Sequence, residues 1–249
     1  ESHGYEVEAD GFGYRGMTLL TRPGARATVK INRKNIAERL YRITGQGIYR
    51  DTVLTGRRPP LKKPVLNGRV LGQDSVMATV YKDKVYWFWG DTNRESYPLG
   101  HFAVAGATSE LPQNGGLDPS EGVDLTYFVD DDGFSRKMAP LGGEGMIWIG
   151  ALMVLEDEQG KFRLLAHYQR MASLGKLLEH GLVIFDDEKE VFIKLIEFGQ
   201  ETKLEPSGQT LKVRIKNEDY YYFACFPYPL VRVKADWKHV VDLSKYEAF

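Results

Sequence analysis

Carboxylates are the residues of this chain whose type and spacing could do chemistry. Asp74 and Asp91 stand near the two ends of a stretch that begins Gly72-Gln73-Asp74-Ser75 and ends Trp87-Phe88-Trp89-Gly90-Asp91-Thr92-Asn93. Between them, two runs rich in Val, Tyr, Trp and Phe flank the polar break Lys82-Asp83-Lys84. β-formers on both sides of so short a break predict a β-hairpin. Folding about the break sets Asp74 opposite Asp91 or within one residue of it, and residues facing each other across a ladder point to the same side. Paired carboxylates suit glycoside hydrolysis, in which one carboxylic acid protonates the leaving oxygen and one carboxylate activates water or attacks carbon. On this reading Asp74 is the base or nucleophile and Asp91 orients it or tunes its acidity.

Elements must carry these groups, and the chain after residue 65 reads as repeats of short strands. The hairpin is followed by strand patterns over 101–108 and 125–129, the latter closed by Asp130-Asp131-Asp132-Gly133. A second set of four covers 146–155, 162–168, 181–185 and 191–195, and a third covers 211–215, 220–226, 230–233 and 240–242. Four-stranded antiparallel repeats are the blades of a β-propeller, which needs about four to eight to close. The chain is therefore expected to be all-β, with three blades visible and the rest of its own propeller missing. Residues 1–65 are expected to form a separate β accessory segment and linker. Strand patterns over 16–21 and 27–32 flank the turn pair Pro23-Gly24, 35–41 could form a helical turn or two, and the basic, proline-rich 57–64 reads as a connector.

In a propeller the first strand of each blade lines the central channel, so polar residues at the starts of first strands converge. Blade one supplies Asp74 and blade two supplies Glu144, the candidate acid, within Gly142-Gly143-Glu144-Gly145. Folding blade two about its turn brings His167 and Arg170 to the same end, to hold sugar hydroxyls or a carboxylate, with Trp148 and Tyr168 as flanking aromatics. Plainer roles stand beside these. Asp74 and Asp91 could cap turns, Glu144 could be a solvated loop carboxylate, and His167, in an apolar run, could be a core histidine like His101 and His180.

The stretch 72–93 resembles the first blade of the five-bladed β-propeller glycosidase superfamily, most closely its endo-arabinanase-like branch, where Gly-Gln-Asp and Phe-Gly-Asp-Thr elements frame the first hairpin; Trp89 stands here for the phenylalanine. The resemblance implies a five-bladed ring, catalytic aspartates at Asp74 and Asp91, a polysaccharide or oligosaccharide substrate, and a secreted or periplasmic location. It covers roughly residues 68–249, with its specific motif confined to 72–93. The alternative is a non-catalytic carbohydrate-binding or scaffold propeller.

Composition narrows the field further. The 33 basic and 34 acidic side chains nearly cancel, so no charge excess draws the chain to nucleic acid or an anionic membrane. A single cysteine, Cys225, rules out an internal disulfide and reads as an inert thiol within an apolar run. No apolar run reaches the ~18 residues of a membrane span. No cofactor is expected, with a bound calcium the one alternative: Asp130-Asp131-Asp132-Gly133 and Asp186-Asp187 are similar to calcium loops, but no glutamate stands twelfth from Asp130, so polar hairpin turns are the expected reading. Neither Gly-x-Ser-x-Gly nor His-Glu-x-x-His occurs, which argues against a serine hydrolase of that kind or a zincin.

Overall fold

The structure is a computed structural model that describes residues 5–12, 16–34, 42–199, 204–226 and 228–249. The chain forms two compact units, Glu1–Tyr41 and Arg42–Phe249. In the first, β1 (Tyr5–Val7) pairs antiparallel with β2 (Ile31–Arg33). Pro23-Gly24 does turn the chain, with Ala25 N–H donating to Arg22 O at 3.0 Å. Its arms are not strands paired with each other; the partner of 31–33 is the N-terminal segment. The helical turns expected over 35–41 lie outside the described residues.

The expected boundary near residue 65 falls inside the second unit. Residues 42–65, with the short helix α1 (Arg50–Leu54), are tied to the body. Leu66 N–H donates to Gly45 O at 2.8 Å, the Tyr49 hydroxyl donates to Glu121 O at 2.6 Å, and Lys62 N–H donates to Asp124 Oδ1 at 3.2 Å. A proline-rich connector that docks through its backbone is no longer a free linker.

The body carries three four-stranded antiparallel sheets. A small sheet of β3 (Val70–Gln73), β6 (Thr92–Arg94) and β7 (Gly100–His101) precedes and interleaves with the first. Blade one is β4 (Met77–Tyr81), β5 (Lys84–Trp89), β8 (Ala105–Glu110) and β9 (Thr126–Tyr127). Blade two is β10 (Met146–Glu156), β11 (Phe162–Ser173), β12 (Lys176–Asp186) and β13 (Val191–Phe198). Blade three is β14 (Glu205–Ile215), β15 (Glu218–Phe226), β16 (Val231–Lys234) and β17 (Glu247–Ala248). The first strands β4, β10 and β14 all touch one another, so the blades radiate from a shared centre as propeller blades do.

The first hairpin has the expected register. Met77 pairs with Phe88 and Tyr81 with Lys84 across a two-residue turn in which Lys82 and Asp83 both have positive φ, 50° and 60°. That is the primed geometry whose twist matches the flanking strands. No strand forms over the expected 240–242: Val240 ends a one-turn helix, α2 (Trp237–Val240), which Asp236 caps by accepting the His239 N–H at 3.1 Å, and Val241 follows it as a turn. The strand position passes to β17.

Blade two is apolar on both faces because it is covered on both. Ile147, Leu164, Tyr168, Phe185 and Phe192 pack with Met77, Tyr81 and Phe88 of blade one, while Met153, Leu165 and Leu182 pack with Tyr221, Phe223 and Val231 of blade three. Phe88 and Phe192 meet with ring centroids 4.9 Å apart. Burying each such side chain contributes about 1.5–3 kcal/mol, so these seams fix the relative placement of the blades and hence of the groups at their ends.

Candidate active site

A cleft of about 550 Å³ opens where the ends of the three blades meet. Blade one and its lead-in contribute Asp74, Ser75, Val76, Met77, Gly90 and Asp91; blade two contributes Trp148, Ile149, Gly150, His167, Gln169 and Leu174; blade three contributes Pro206, Ser207 and Gly208.

Asp74 and Asp91 are joined through their backbones. Asp74 N–H donates to Asp91 O at 3.0 Å, and Gly90 N–H donates to Asp74 O at 2.8 Å. Two residues of one strand thus face one of the other, a bulge-like step of the kind that re-aims side chains beside active sites. The two carboxylates differ in their surroundings. Asp91 Oδ1 accepts the Trp148 indole N–H at 3.2 Å, a bond between blades one and two. The Asp74 carboxylate is exposed and has no hydrogen bond or ion pair among the described residues. Turn capping is therefore not what Asp74 does.

On β11 the two-residue alternation divides the expected binding residues. His167 and Gln169 line the cleft, paired across the ladder with Gly150 and Trp148. Tyr168 and Arg170 lie on the other face, so their expected contact with substrate is corrected. The buried Tyr168 belongs to the core between blades one and two and donates its hydroxyl to Glu179. Arg170 Nε donates to Glu179 Oε2 at 3.2 Å, and its terminal nitrogens donate to Leu141 O at 3.5 Å and to Gly142 O. Burial pushes Glu179 up, but Lys194, Tyr168 and Arg170 together outweigh it and hold this carboxyl below its usual range. Arg170 is thus a strut under the loop that carries Glu144. Glu144 itself is exposed on that loop and does not line the cleft.

His167 is 3% exposed. The Tyr246 hydroxyl, 3.0 Å from its Nε2, donates its own proton to Val240 O at 2.9 Å, so Nε2 carries the hydrogen of a neutral imidazole and donates to Tyr246. Burial, reinforced by His180, pushes the His167 pKa down to about 3. His167 is thus both a core histidine, ringed by Phe198, Phe223 and Tyr246, and part of the cleft wall.

A carboxylate that sequence reasoning passed over lies one hydrogen bond behind the cleft. Glu205, the first residue of β14, accepts the Gln169 Nε2–H at 2.6 Å through Oε2. Its place at the start of blade three's first strand parallels that of Asp74 in blade one. The signal was present, but Pro206 and Gly208 read as breakers and hid the first half of the strand. In the fold Pro206 pairs in register with Cys225, and Gly208 belongs to a bulge between Ser207 and Leu211. A matching irregularity in β10 lies between Gly150 and Met153, with Ala151 at φ +52°.

Gln209, within the β14 bulge, closes the centre. Its side-chain amide makes two hydrogen bonds to one residue of β4, accepting Ala78 N–H at 3.1 Å and donating to Ala78 O at 2.8 Å. Among the described residues no group of His, Cys, Asp and Glu is placed to hold a metal ion. Asp132 instead pairs with Arg94 at 2.6 Å, and Asp186 accepts the backbone N–H groups of Glu188 and Lys189, as polar turn residues do. No helix of the described residues is long and apolar enough to cross a membrane.

No family model and no curated protein sequence matches the chain. Solved structures to which it is similar include an exo-β-1,3-galactanase from Phanerochaete chrysosporium with β-1,3-galactotriose, at 12% identity and a TM-score of 0.43, covering 72% of this chain and 39% of that one. A family-43 β-1,3-galactosidase with galactodeoxynojirimycin is 9% identical with a TM-score of 0.43, covering 77% of this chain and 64% of that one. An exo-1,5-α-L-arabinanase from a bovine ruminal metagenomic library is 12% identical with a TM-score of 0.38, covering 77% and 58%. The chain spans between 39% and 64% of the length of these structures.

Proposed function

We propose that this chain supplies the site of a glycoside hydrolase that cleaves neutral glycosides in the cleft between its blades. The observation that carries the reading is the unpartnered Asp74 carboxylate beside Asp91 in an open cleft. Asp74 activates water or attacks the anomeric carbon, and Asp91, held by Trp148, keeps a fixed charge next to it. Glu205 stands on a different blade from Asp74 and, one hydrogen bond behind the cleft, fixes the Gln169 amide in its wall, so that Gln169 meets the leaving oxygen and Glu205 acts as its positioning residue. Substrates are uncharged because no lysine or arginine lines the cleft among the described residues, and a uronate would meet two aspartates with no counter-charge. Secretion and a five-bladed whole fit this role.

The test is hydrolysis of a panel of neutral glycosides and oligosaccharides by the wild type, Asp74→Asn and Glu205→Gln. Asp74→Asn should lose at least about a hundredfold in kcat, in line with removal of a base or nucleophile, and Glu205→Gln, which reaches the cleft through Gln169, about tenfold, with circular dichroism unchanged in both. Unaltered turnover in Asp74→Asn would refute the assignment.

A carbohydrate-binding propeller without catalysis is the second reading. It is favoured by the way neutral N–H donors hold both Asp91 and Glu205, as fixed recognition groups are held. Calorimetry separates the two: a pure binding site binds the glycan and turns none of it over.

A further inference from the structure

The cleft has polar groups at its base and an unusual pair of side chains at its mouth. Leu174 is 86% exposed and Val76 is 53% exposed, yet both line it, one from blade two and one from the lead-in to blade one. Single exposed apolar residues are common on protein surfaces and carry no message. Two that line one cleft from different blades are a different matter, and neither is packed into the core.

Leu174 sits in the two-residue turn between Ser173 and Lys176, which pair across the β11–β12 ladder. Gly175 takes the left-handed position of that turn at φ +79°, so the backbone asks nothing special of residue 174. Turns of this kind favour polar residues, and a leucine there gains nothing from packing. Val76 follows Ser75, whose φ of +56° places a non-glycine residue in the left-handed region at a cost of about 1 kcal/mol. Backbone strain retained beside Asp74 is of the kind that accumulates at ligand sites, and the residue that follows it lines the cleft at its surface.

The polar groups of the walls are meanwhile occupied with each other. The Trp148 indole N–H goes to Asp91, Gln169 Nε2 to Glu205, and His167 Nε2 to Tyr246. The Asp74 carboxylate is left free to meet a sugar, whereas a second ring beside Val76 and Leu174 would bring several hydroxyls against a leucine and a valine.

We infer that Val76 and Leu174 form an apolar clamp for the leaving group, so that the preferred substrate is a neutral glycoside with an alkyl or aryl aglycone. The inference rests on the hydrolase reading of the same cleft.

The experiment compares methyl with benzyl glycosides of the neutral hexoses and pentoses, in both anomeric forms. Methanol and benzyl alcohol are leaving groups of similar acidity, so the ratio of their kcat/KM values reports contact and not intrinsic reactivity. The benzyl compound should be favoured by about tenfold, the scale on which apolar pockets discriminate, and Leu174→Ser should bring the ratio close to one. Val80→Ser, which alters an exposed valine away from the cleft, should leave the ratio where it was. Equal kcat/KM for both glycosides overturns the clamp and leaves hydrolysis standing. If no glycoside is turned over, the hydrolase reading fails, and saturation-transfer NMR with benzyl glycosides then judges the clamp alone. A transfer signal on the phenyl protons that Leu174→Ser removes supports an apolar-group site, and a signal that survives, or none at all, overturns it.

Discussion

The Trp148 indole N–H reaches Asp91 Oδ1 at 3.2 Å, so a side chain of blade two sets the direction of a carboxylate in blade one. Replacing the indole by a phenyl ring keeps most of the bulk and removes the donor. Trp148→Phe should lower kcat by about tenfold with KM changed less than threefold, the signature of an interaction that matters more in the transition state than in the ground state. An unchanged kcat would mean that the bond has no part in catalysis.

Arg170 looked from the sequence like a ligand for substrate, and the fold makes it a structural cation. Arg170→Ala should lower stability by roughly 3 kcal/mol, because Glu179 would stay buried with fewer partners and the carbonyls of Leu141 and Gly142 would lose their donors. Urea unfolding measures the first effect. KM for any substrate found should not rise, and a large increase would return Arg170 to the site.

Acid should weaken the protein through His167. An unfolded histidine titrates near 6.5, whereas the folded one is held down to about 3 by burial, so between these values the unfolded chain binds the extra proton. Stability is therefore present above about pH 6.5 and falls as the pH drops towards 3, by up to about 1.4 kcal/mol per pH unit. Burial pushes His101 in the same direction and adds to the slope. The His167 ring protons should show no titration in NMR spectra between pH 7 and pH 4.5. A midpoint near 6.5 would show that the ring is hydrated.

Gly150 is required for its lack of a side chain. A Cβ there would stand 3.0 Å from the Gly208 nitrogen and 3.1 Å from Ser207 Cα, where β10 and β14 come together at the cleft. Gly150→Ala should cost about 1–3 kcal/mol and distort the cleft floor. Gly72→Ala, with open space around it and no positive φ, should change stability by less than about 0.5 kcal/mol. Equal effects of the two would remove the case for a close backbone approach.

Local pattern carried much of this fold. The 77–88 hairpin, its tight turn and the apposition of Asp74 with Asp91 are legible from alternation and β-propensity, because the register follows once the turn is placed. All four strands of blade two are legible for the same reason, as is the meeting of Asp74, Asp91, Trp148 and His167 at one cleft. Face was less legible than position. His167 and Arg170 are three residues apart, an odd step that puts them on opposite sides of a strand. Glu144 lay near the right end of blade two, but nothing in the loop sequence tells which way it turns. Irregular backbone hid the rest: a bulge around Gly208 masked Glu205, and an aspartate cap at Asp236 drew Val240 into a helical turn.

The bridge between Gln209 and Ala78 has a meaning beyond this molecule's own centre. Strand β4 has β5 on one flank, and on the other its Ala78 peptide groups face a side-chain amide, which offers one donor and one acceptor as a neighbouring strand would. At Ala78 the edge is thus already satisfied by a group that cannot propagate a ladder. A glutamine here acts as a chain terminator for sheet growth, keeping the inner strand from recruiting a foreign one.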